Sequence, residues 1–316
     1  MADQKLDETA TGVYAITPTP FTDAGAVDLD STDRMVEFYI ECGVSGLTIL
    51  GVMGEAHKLT QKESVAFTKR VLAAVDGRIP VIAGVSSPAL GPMTALTERA
   101  MDFGAAGVMV APMSGLNTDE KIEGYFHAVC NALGETPVVL QDYPPSSGVW
   151  FSVPLLNKLF TELPALKMLK HEDWPGLKKI TQFRAAEARG ERRRVSILTG
   201  NSGLFLPLEL ARGADGAMTG FAFPDMLVRV CEYHGDGKEN QAQDLFDAYL
   251  PLVRYEQQIG IGLAIRKETL RRRGVLASPT IRAPGPKLDA DDIAELEGLL
   301  QRLDRRLNEL GETFPM

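Results

Sequence analysis

Eight short segments rich in Val and Ile alternate with amphipathic stretches between Val13 and Thr219, and this alternation limits the folds open to the chain. The apolar segments are Val13–Thr17, Gly46–Leu50, Val81–Val85, Gly107–Ala111, Val138–Gln141, Leu166–Lys170, Ser196–Thr199 and Gly216–Thr219. Segments this short, bounded by turn residues, read as buried strands. Between them, apolar residues recur at helical spacing over Ser31–Cys42, Gln61–Val75, Ala95–Phe103, Lys121–Leu133, Pro154–Leu163, Trp174–Arg184 and Leu204–Arg212. Gly43, Gly77, Gly104 and Gly213 mark helix ends, where Gly accepts the left-handed backbone. Strict strand–helix alternation repeated eight times predicts an α/β fold of the (β/α)8 TIM-barrel type. An open doubly wound sheet is the alternative. It would carry a Gly-x-Gly-x-x-Gly turn after the first strand, whereas Ile16 here runs into Thr17-Pro18-Thr19-Pro20-Phe21.

The strand pattern stops near Pro224. Asp225–His234, Lys238–Gln258, Gly262–Arg273 and Asp289–Leu310 all read as helices. The expected organisation is a barrel over 1–223 and a C-terminal helical region over 224–316. Leu296, Leu299, Leu300, Leu303 and Leu307 form an apolar stripe that reads as a packing face.

Composition narrows the function. The net charge of −9 and pI of about 5.1 argue against nucleic acid as a partner. No run of about 18 apolar residues is present, so no membrane span is expected. The start, Met1-Ala2-Asp3-Gln4 and onward, lacks the features of a secretory signal, and a cytoplasmic location is the expectation. Cys42, Cys130 and Cys231 are odd in number and far apart, and read as reduced thiols. Arg192-Arg193-Arg194 reads as a solvated loop, and Arg271-Arg272-Arg273 before Gly274 as a helix end.

Barrel chemistry sits where strands end and loops begin. After the second strand, Gly51-Val52-Met53-Gly54-Glu55 reads either as a nest of backbone N–H groups for a carboxylate or as a tight turn. On the fifth strand, alternation sends Gln141 and Tyr143 one way and Asp142 the other. Packing is the commoner role for Tyr143, and proton transfer the alternative. On the sixth, Leu166, Met168 and Lys170 share one parity, followed by Glu172. A desolvated lysine loses part of its preference for the charged form and becomes a nucleophile, while Glu172 could move protons. A solvated strand-end lysine is the competing reading. His57, His127, His171 and His234 show no metal-ligand spacing, and no Walker loop or nucleophile elbow occurs.

From about Thr11 to Leu310 these residues resemble the dihydrodipicolinate synthase and N-acetylneuraminate lyase family. The resemblance rests on Thr17-Pro18 with Phe21, Gly51-x-x-Gly54-Glu55, Pro80-Val81-Ile82-Ala83-Gly84, Lys170, and Gly213-Ala214-Asp215-Gly216, in order and spacing. It implies a Schiff-base lysine at Lys170, a barrel followed by helices, and a homotetramer or homodimer. Synthase members carry Gly-Thr-Thr-Gly-Glu, but here Val52 and Met53 replace both threonines. Gln141 takes the place of the family tyrosine in Tyr-Asn-x-Pro, Ser146 that of an arginine, and Met113 and Ser114 those of paired tyrosines. The segment Gln141-Asp142-x-Pro144 with Ser147-Gly148-Val149, together with Lys170-x-Glu172, Glu209–Gly213 and Ala217–Gly220, is similar to the 2-keto-3-deoxy-sugar-acid dehydratases of the pentonate type. That likeness implies a glutamate two residues past the lysine that assists the chemistry.

The expected function is therefore a Schiff-base lyase on a 2-oxo acid, a dehydratase or aldolase. Its expected residues are Lys170, Glu172, Gln141 and Tyr143 for catalysis, and Gly51, Val52, Met53, Gly54, Glu55 and Asn201 for substrate. No metal or organic cofactor is called for. Dihydrodipicolinate synthesis and a catalytically weak 2-oxo-acid binder are the rivals.

Overall fold

In a computed structural model describing residues 5–316, eight strands close into a parallel barrel in sequence order, β8 pairing back onto β1. They are β1 (Gly12–Ile16), β2 (Gly46–Ile49), β3 (Val81–Gly84), β4 (Gly107–Val110), β5 (Val138–Asp142), β6 (Leu166–His171), β7 (Ser196–Thr199) and β8 (Gly216–Thr219). Residues 1–4 of the polar start lie outside the described chain. Each strand coincides with an expected segment, because every one is apolar on both sides, as burial between core and helices demands.

The outer helices are α1 (Leu29–Glu41), α2 (Gln61–Val75), α3 (Leu90–Asp102), α4 (Asp119–Leu133), α5 (Val153–Glu162), α6 (Leu177–Ala188), α7 (Leu206–Ala211) and α8 (Pro224–Gly235). α2 opens on a capping box, with the Thr60 side chain accepting from Glu63 N–H and Glu63 accepting from Thr60 N–H. α3 starts at Leu90 rather than Ala95. Pro92 lies in its first turn, where a missing N–H costs nothing. α8 packs beside β1 and α9.

Two apolar cores follow from strand alternation. Tyr14, Ile16, Ile82, Met109, Val139, Met168, Leu198 and Met218 point inward and fill the barrel. Val13, Ala15, Leu47, Ile49, Val81, Val108, Leu140, Leu169 and Ile197 point outward beneath the helices. β6 departs from the expected parity. Leu166 lies in the outer core and Met168 in the inner one. The pairing steps from Val138↔Leu166 to Val139↔Met168, so Lys167 is an extra residue that reverses the alternation behind it. Leu166 therefore does not share a row with Lys170; the inward row runs Met168, Lys170 and on to Glu172.

Beyond α8, helices α9 (Glu239–Glu256), α10 (Gly262–Arg272) and α11 (Ala290–Leu310) pack on one another. Leu296, Leu300, Leu303 and Leu307 are buried within the chain's own core. Buried Lys267 of α10 clamps this region to the barrel mouth, donating to Glu55 Oε1 (2.6 Å) and to the Thr19 and Thr280 carbonyls (2.9 Å each). Burial pushes its ammonium down to about 8 despite the Glu55 charge beside it. No disulfide joins the three cysteines, and none of the described helices is long and apolar enough to cross a membrane.

The first arginine cluster corrects its sequence reading. Arg192 is buried, lies 3.8 Å from the Phe183 ring centroid, and donates to Phe183 O at 2.9 Å. Arg193 donates to the carbonyls of Leu163 and Leu166. The guanidinium forks tie loop carbonyls together, which a solvated loop would leave to water. Arg271 and Arg272 close α10 and pair with Glu268, before Gly274 turns the chain.

Candidate active site

Lys170 stands at the carboxyl end of β6, 4% exposed, with its Nζ 2.9 Å from Glu172 Oε2. Gln141 pairs with Lys170 across β5–β6 and donates its side-chain N–H to the same Glu172 oxygen at 2.7 Å. Alternation holds past the end of β6. The Glu172 N–H donates to Asp142 O at 2.9 Å and the His171 carbonyl accepts from Gly200 N–H, so ladder bonding continues through both residues. Glu172 thus stays on the inward face, as does Gln141, and the three polar groups meet because residues two apart share a direction. Gly200 makes room for the carboxylate: a Cβ there would lie 2.3 Å from Glu172 Cγ.

The intervening residues turn outward. Buried Asp142 accepts from Lys179 Nζ at 2.6 Å, with His171 Nδ1 3.6 Å away. Behind them Glu209 of α7 is 8% exposed, and burial pushes its carboxyl up to about 7.

After β2 the chain turns through Leu50, at φ 56°, into a 3-10 turn over Val52–Gly54. The close pass of the Leu50 carbonyl explains Gly84, whose added Cβ would meet that oxygen at 2.3 Å. Gly54 and Glu55 N–H donate to Gly51 O and Val52 O, so the turn leaves the Val52 and Met53 N–H groups to other acceptors. Val52 and Met53 line the cavity, while Gly51, Gly54 and Glu55 do not. The Glu55 carboxylate faces away and is held by Lys58 Nζ (2.9 Å), Lys267 Nζ (2.6 Å) and Arg282 N–H (3.0 Å).

After β7, Asn201 and Ser202 both adopt left-handed backbone, φ 53° and 56°. Asn201 lines the cavity and donates to Glu172 O at 3.3 Å. Ser202 is held by its N–H on Thr219 Oγ1 (2.7 Å), its hydroxyl on Gln257 Oε1 (2.7 Å), and Arg266 Nη2 donating to that hydroxyl (3.0 Å). Gln257 and Arg266 belong to the C-terminal region yet line the cavity. Sequence reasoning passed over both. The available signal was Arg266-Lys267-Glu268, three charges in a row between Ile265 and Leu270, which one solvated helix face cannot hold.

Together these residues enclose a cavity of about 60 Å³. That is room for a few waters. Tyr143 also lines it, and its phenol is pushed up by burial and by the Glu172 charge. The arrangement offers one nucleophilic amine, one carboxylate touching it, and amide groups to orient them. Among the described residues one set of possible metal ligands exists, Glu123, His127 and Glu162, on the outer helices α4 and α5. Glu123 already pairs with Lys158 at 2.8 Å, and none of the three lines the cavity.

The chain resembles known proteins in sequence and in fold. Residues 9–303 match the dihydrodipicolinate synthetase family. The L-2-keto-3-deoxyarabonate dehydratase of Azospirillum brasilense is 33% identical over 93% of this chain and 94% of its own. The 4-hydroxy-tetrahydrodipicolinate synthase of Methanococcus maripaludis strain C5 is 27% identical over 77% of this chain and 82% of its own. A solved dihydrodipicolinate synthase from Rhodopseudomonas palustris superposes with a TM-score of 0.93 at 47% identity, covering 94% of this chain and 99% of that one. An E. coli K12 prophage protein of the same family, solved with pyruvate, gives a TM-score of 0.84 at 25% identity over 93% and 98%. The chain belongs to the dihydrodipicolinate synthetase family and is a lyase of that family.

Proposed function

We propose that Lys170 forms a Schiff base with a 2-oxo acid and that the enzyme dehydrates a 2-keto-3-deoxy sugar acid. The carrying observation is the contact of Lys170 Nζ with Glu172 Oε2 at 2.9 Å, with Gln141 on the same oxygen. The lysine amine adds to the C2 ketone and expels water, giving a protonated imine. Glu172 takes a proton from C3, and the C–H electron pair moves into the imine. The resulting enamine expels a C4 hydroxyl, which leaves as water with a proton returned from the carboxyl. Hydrolysis of the imine frees Lys170. The Val52 and Met53 N–H groups are suited to the substrate carboxylate, and Asn201 to a further oxygen. Likeness to the Azospirillum dehydratase supports the reaction class. A homotetramer or homodimer is part of the same reading.

Dihydrodipicolinate synthesis stays the rival, favoured by the Rhodopseudomonas relative and by Tyr143, whose hydroxyl could replace one absent from position 141. Against it stand Val52 and Met53, which bring no hydroxyl to the carboxylate end. Incubation with pyruvate and borohydride should add one reduced adduct, on Lys170. Failure to trap it there ends the Schiff-base reading. A screen of 2-keto-3-deoxy acids should then find turnover, with little condensation of pyruvate and aspartate semialdehyde. Condensation at an ordinary enzymatic rate, about 1–1000 per second, would favour the synthase instead.

A further inference from the structure

Asn201 and Ser202 are consecutive non-glycine residues in the left-handed region. Such backbone is strained for a residue with a Cβ and persists only where its surroundings over-determine it. Here the surroundings come largely from outside the barrel. Arg266, 1% exposed, donates through Nη2 to Ser202 Oγ at 3.0 Å and through Nε to Glu256 Oε2 at 2.9 Å. Glu256 is buried too and accepts from Ala222 N–H, so the guanidinium is fixed at its far side. Gln257, next in sequence, accepts from the same Ser202 hydroxyl. The Arg266 fork approaches closely because residue 220 is Gly: a Cβ there would lie 2.3 Å from Nη1.

The turn held in this way adds two contacts to Glu172, beside those from Gln141, Lys170 and Asp142. Gly200 abuts its side chain, and Asn201 donates to its carbonyl. We infer that Arg266 is a positioning residue: it locks the strained Asn201–Ser202 turn and thereby fixes the carboxylate that moves the substrate proton. The C-terminal helical region is in this sense part of the active site. The inference rests on the proton-transfer role proposed for Glu172.

The test compares Arg266→Lys, which keeps the charge opposite Glu256 but loses the fork, with Ser202→Ala, which removes the bridged hydroxyl and leaves the Arg266–Glu256 pair. Both should still trap pyruvate on Lys170 with borohydride. Both should lower kcat on the dehydrated substrate by about 10- to 100-fold, the scale of an ångström's misplacement of a reacting group. The double variant should lose no more than the worse single one, because both act through one turn. Variants with lowered Tm but unchanged kcat and KM would overturn the inference, as would losses that multiply in the double variant. Absence of trapping in the unaltered enzyme would instead overturn the Schiff-base reading, so the two failures are distinct.

Discussion

The cavity has two unlike walls. One is built by β5 and β6 and presents Gln141, Lys170 and Glu172 on regular strands, each direction set by alternation. The other is built by the loop after β7, which presents Asn201 and Ser202 on left-handed backbone, and by the C-terminal helices, which bring Gln257 from the end of α9 and Arg266 from α10. In the proposed mechanism the first wall holds the reacting groups and the second holds them still. Regular structure gives direction cheaply; a strained turn needs distant buried partners to maintain it.

The largest effects should fall on the strand wall. Lys170→Arg should abolish borohydride trapping and turnover while the fold survives, because Arg stays charged and forms no imine. Residual trapping at another lysine would move the nucleophile elsewhere. Glu172→Gln should be milder and more selective. It removes the carboxylate 2.9 Å from Lys170 Nζ but leaves the amine in place, so imine formation should persist. Loss of the base should slow turnover by about 100- to 10000-fold. Unchanged turnover would reduce Glu172 to a structural partner of Gln141 and Asn201.

The same division decides what could be read in advance. Eight strands were legible because each is a short apolar run between turn residues, and Lys170 and Glu172 were legible as residues two apart. The inward direction of Lys170 came with a faulty reason. Leu166 was counted in its row, and the extra residue at Lys167 breaks that row, a feature no periodicity reveals. Glu55 sits in a motif beside the cavity, yet its direction depends on Lys267, more than two hundred residues away, and so could not be inferred locally. Arg266 left a partial signal in its run of three charges, but that it and Gln257 reach the cavity is a tertiary fact. Arg192 repeats the lesson, since three arginines in a loop look solvated until the carbonyls beneath them are known.

A single methyl group can be made to bridge the two walls. At Gly200 the backbone angles, φ −110° and ψ −137°, lie between the extended and the helical regions, so alanine there carries some backbone strain of its own. Its Cβ would also lie 2.4 Å from Glu172 Oε1 and must displace the carboxylate, whose Oε2 meets Lys170 and Gln141. Gly200→Ala should therefore lower kcat by about 10- to 100-fold, with pyruvate trapping kept. Trapping and turnover lost in equal measure would mean that the methyl group disturbs Lys170 as well.

The smallest expected effect on activity tests the reverse side of the strand wall, where the alternation that turns Lys170 and Glu172 inward turns His171 outward toward Glu209. Burial holds the Glu209 carboxyl at about 7 in the folded protein, against an ordinary value of 4.5, with a Thr199 hydrogen bond and the His171 charge opposing the shift. The folded state therefore keeps this proton after the unfolded chain has released it. Below pH 4.5 both states are protonated and the group costs nothing. Between about 4.5 and 7 the unfolded chain binds fewer protons, so stability falls as pH rises; above 7 both are ionised and the loss stops growing. The full difference amounts to about 3 kcal/mol. Glu209→Gln removes the titration while keeping the shape. Its denaturation midpoint should match the unaltered protein's near pH 4.5 and pull ahead up to about pH 7, with a constant lead beyond. Lys170 trapping should be untouched throughout, because Glu209 lies behind the strand and not in the cavity. A lead that does not vary with pH would show that Glu209 already ionises at its ordinary value, and that the outward face of β6 is more polar than its burial implies.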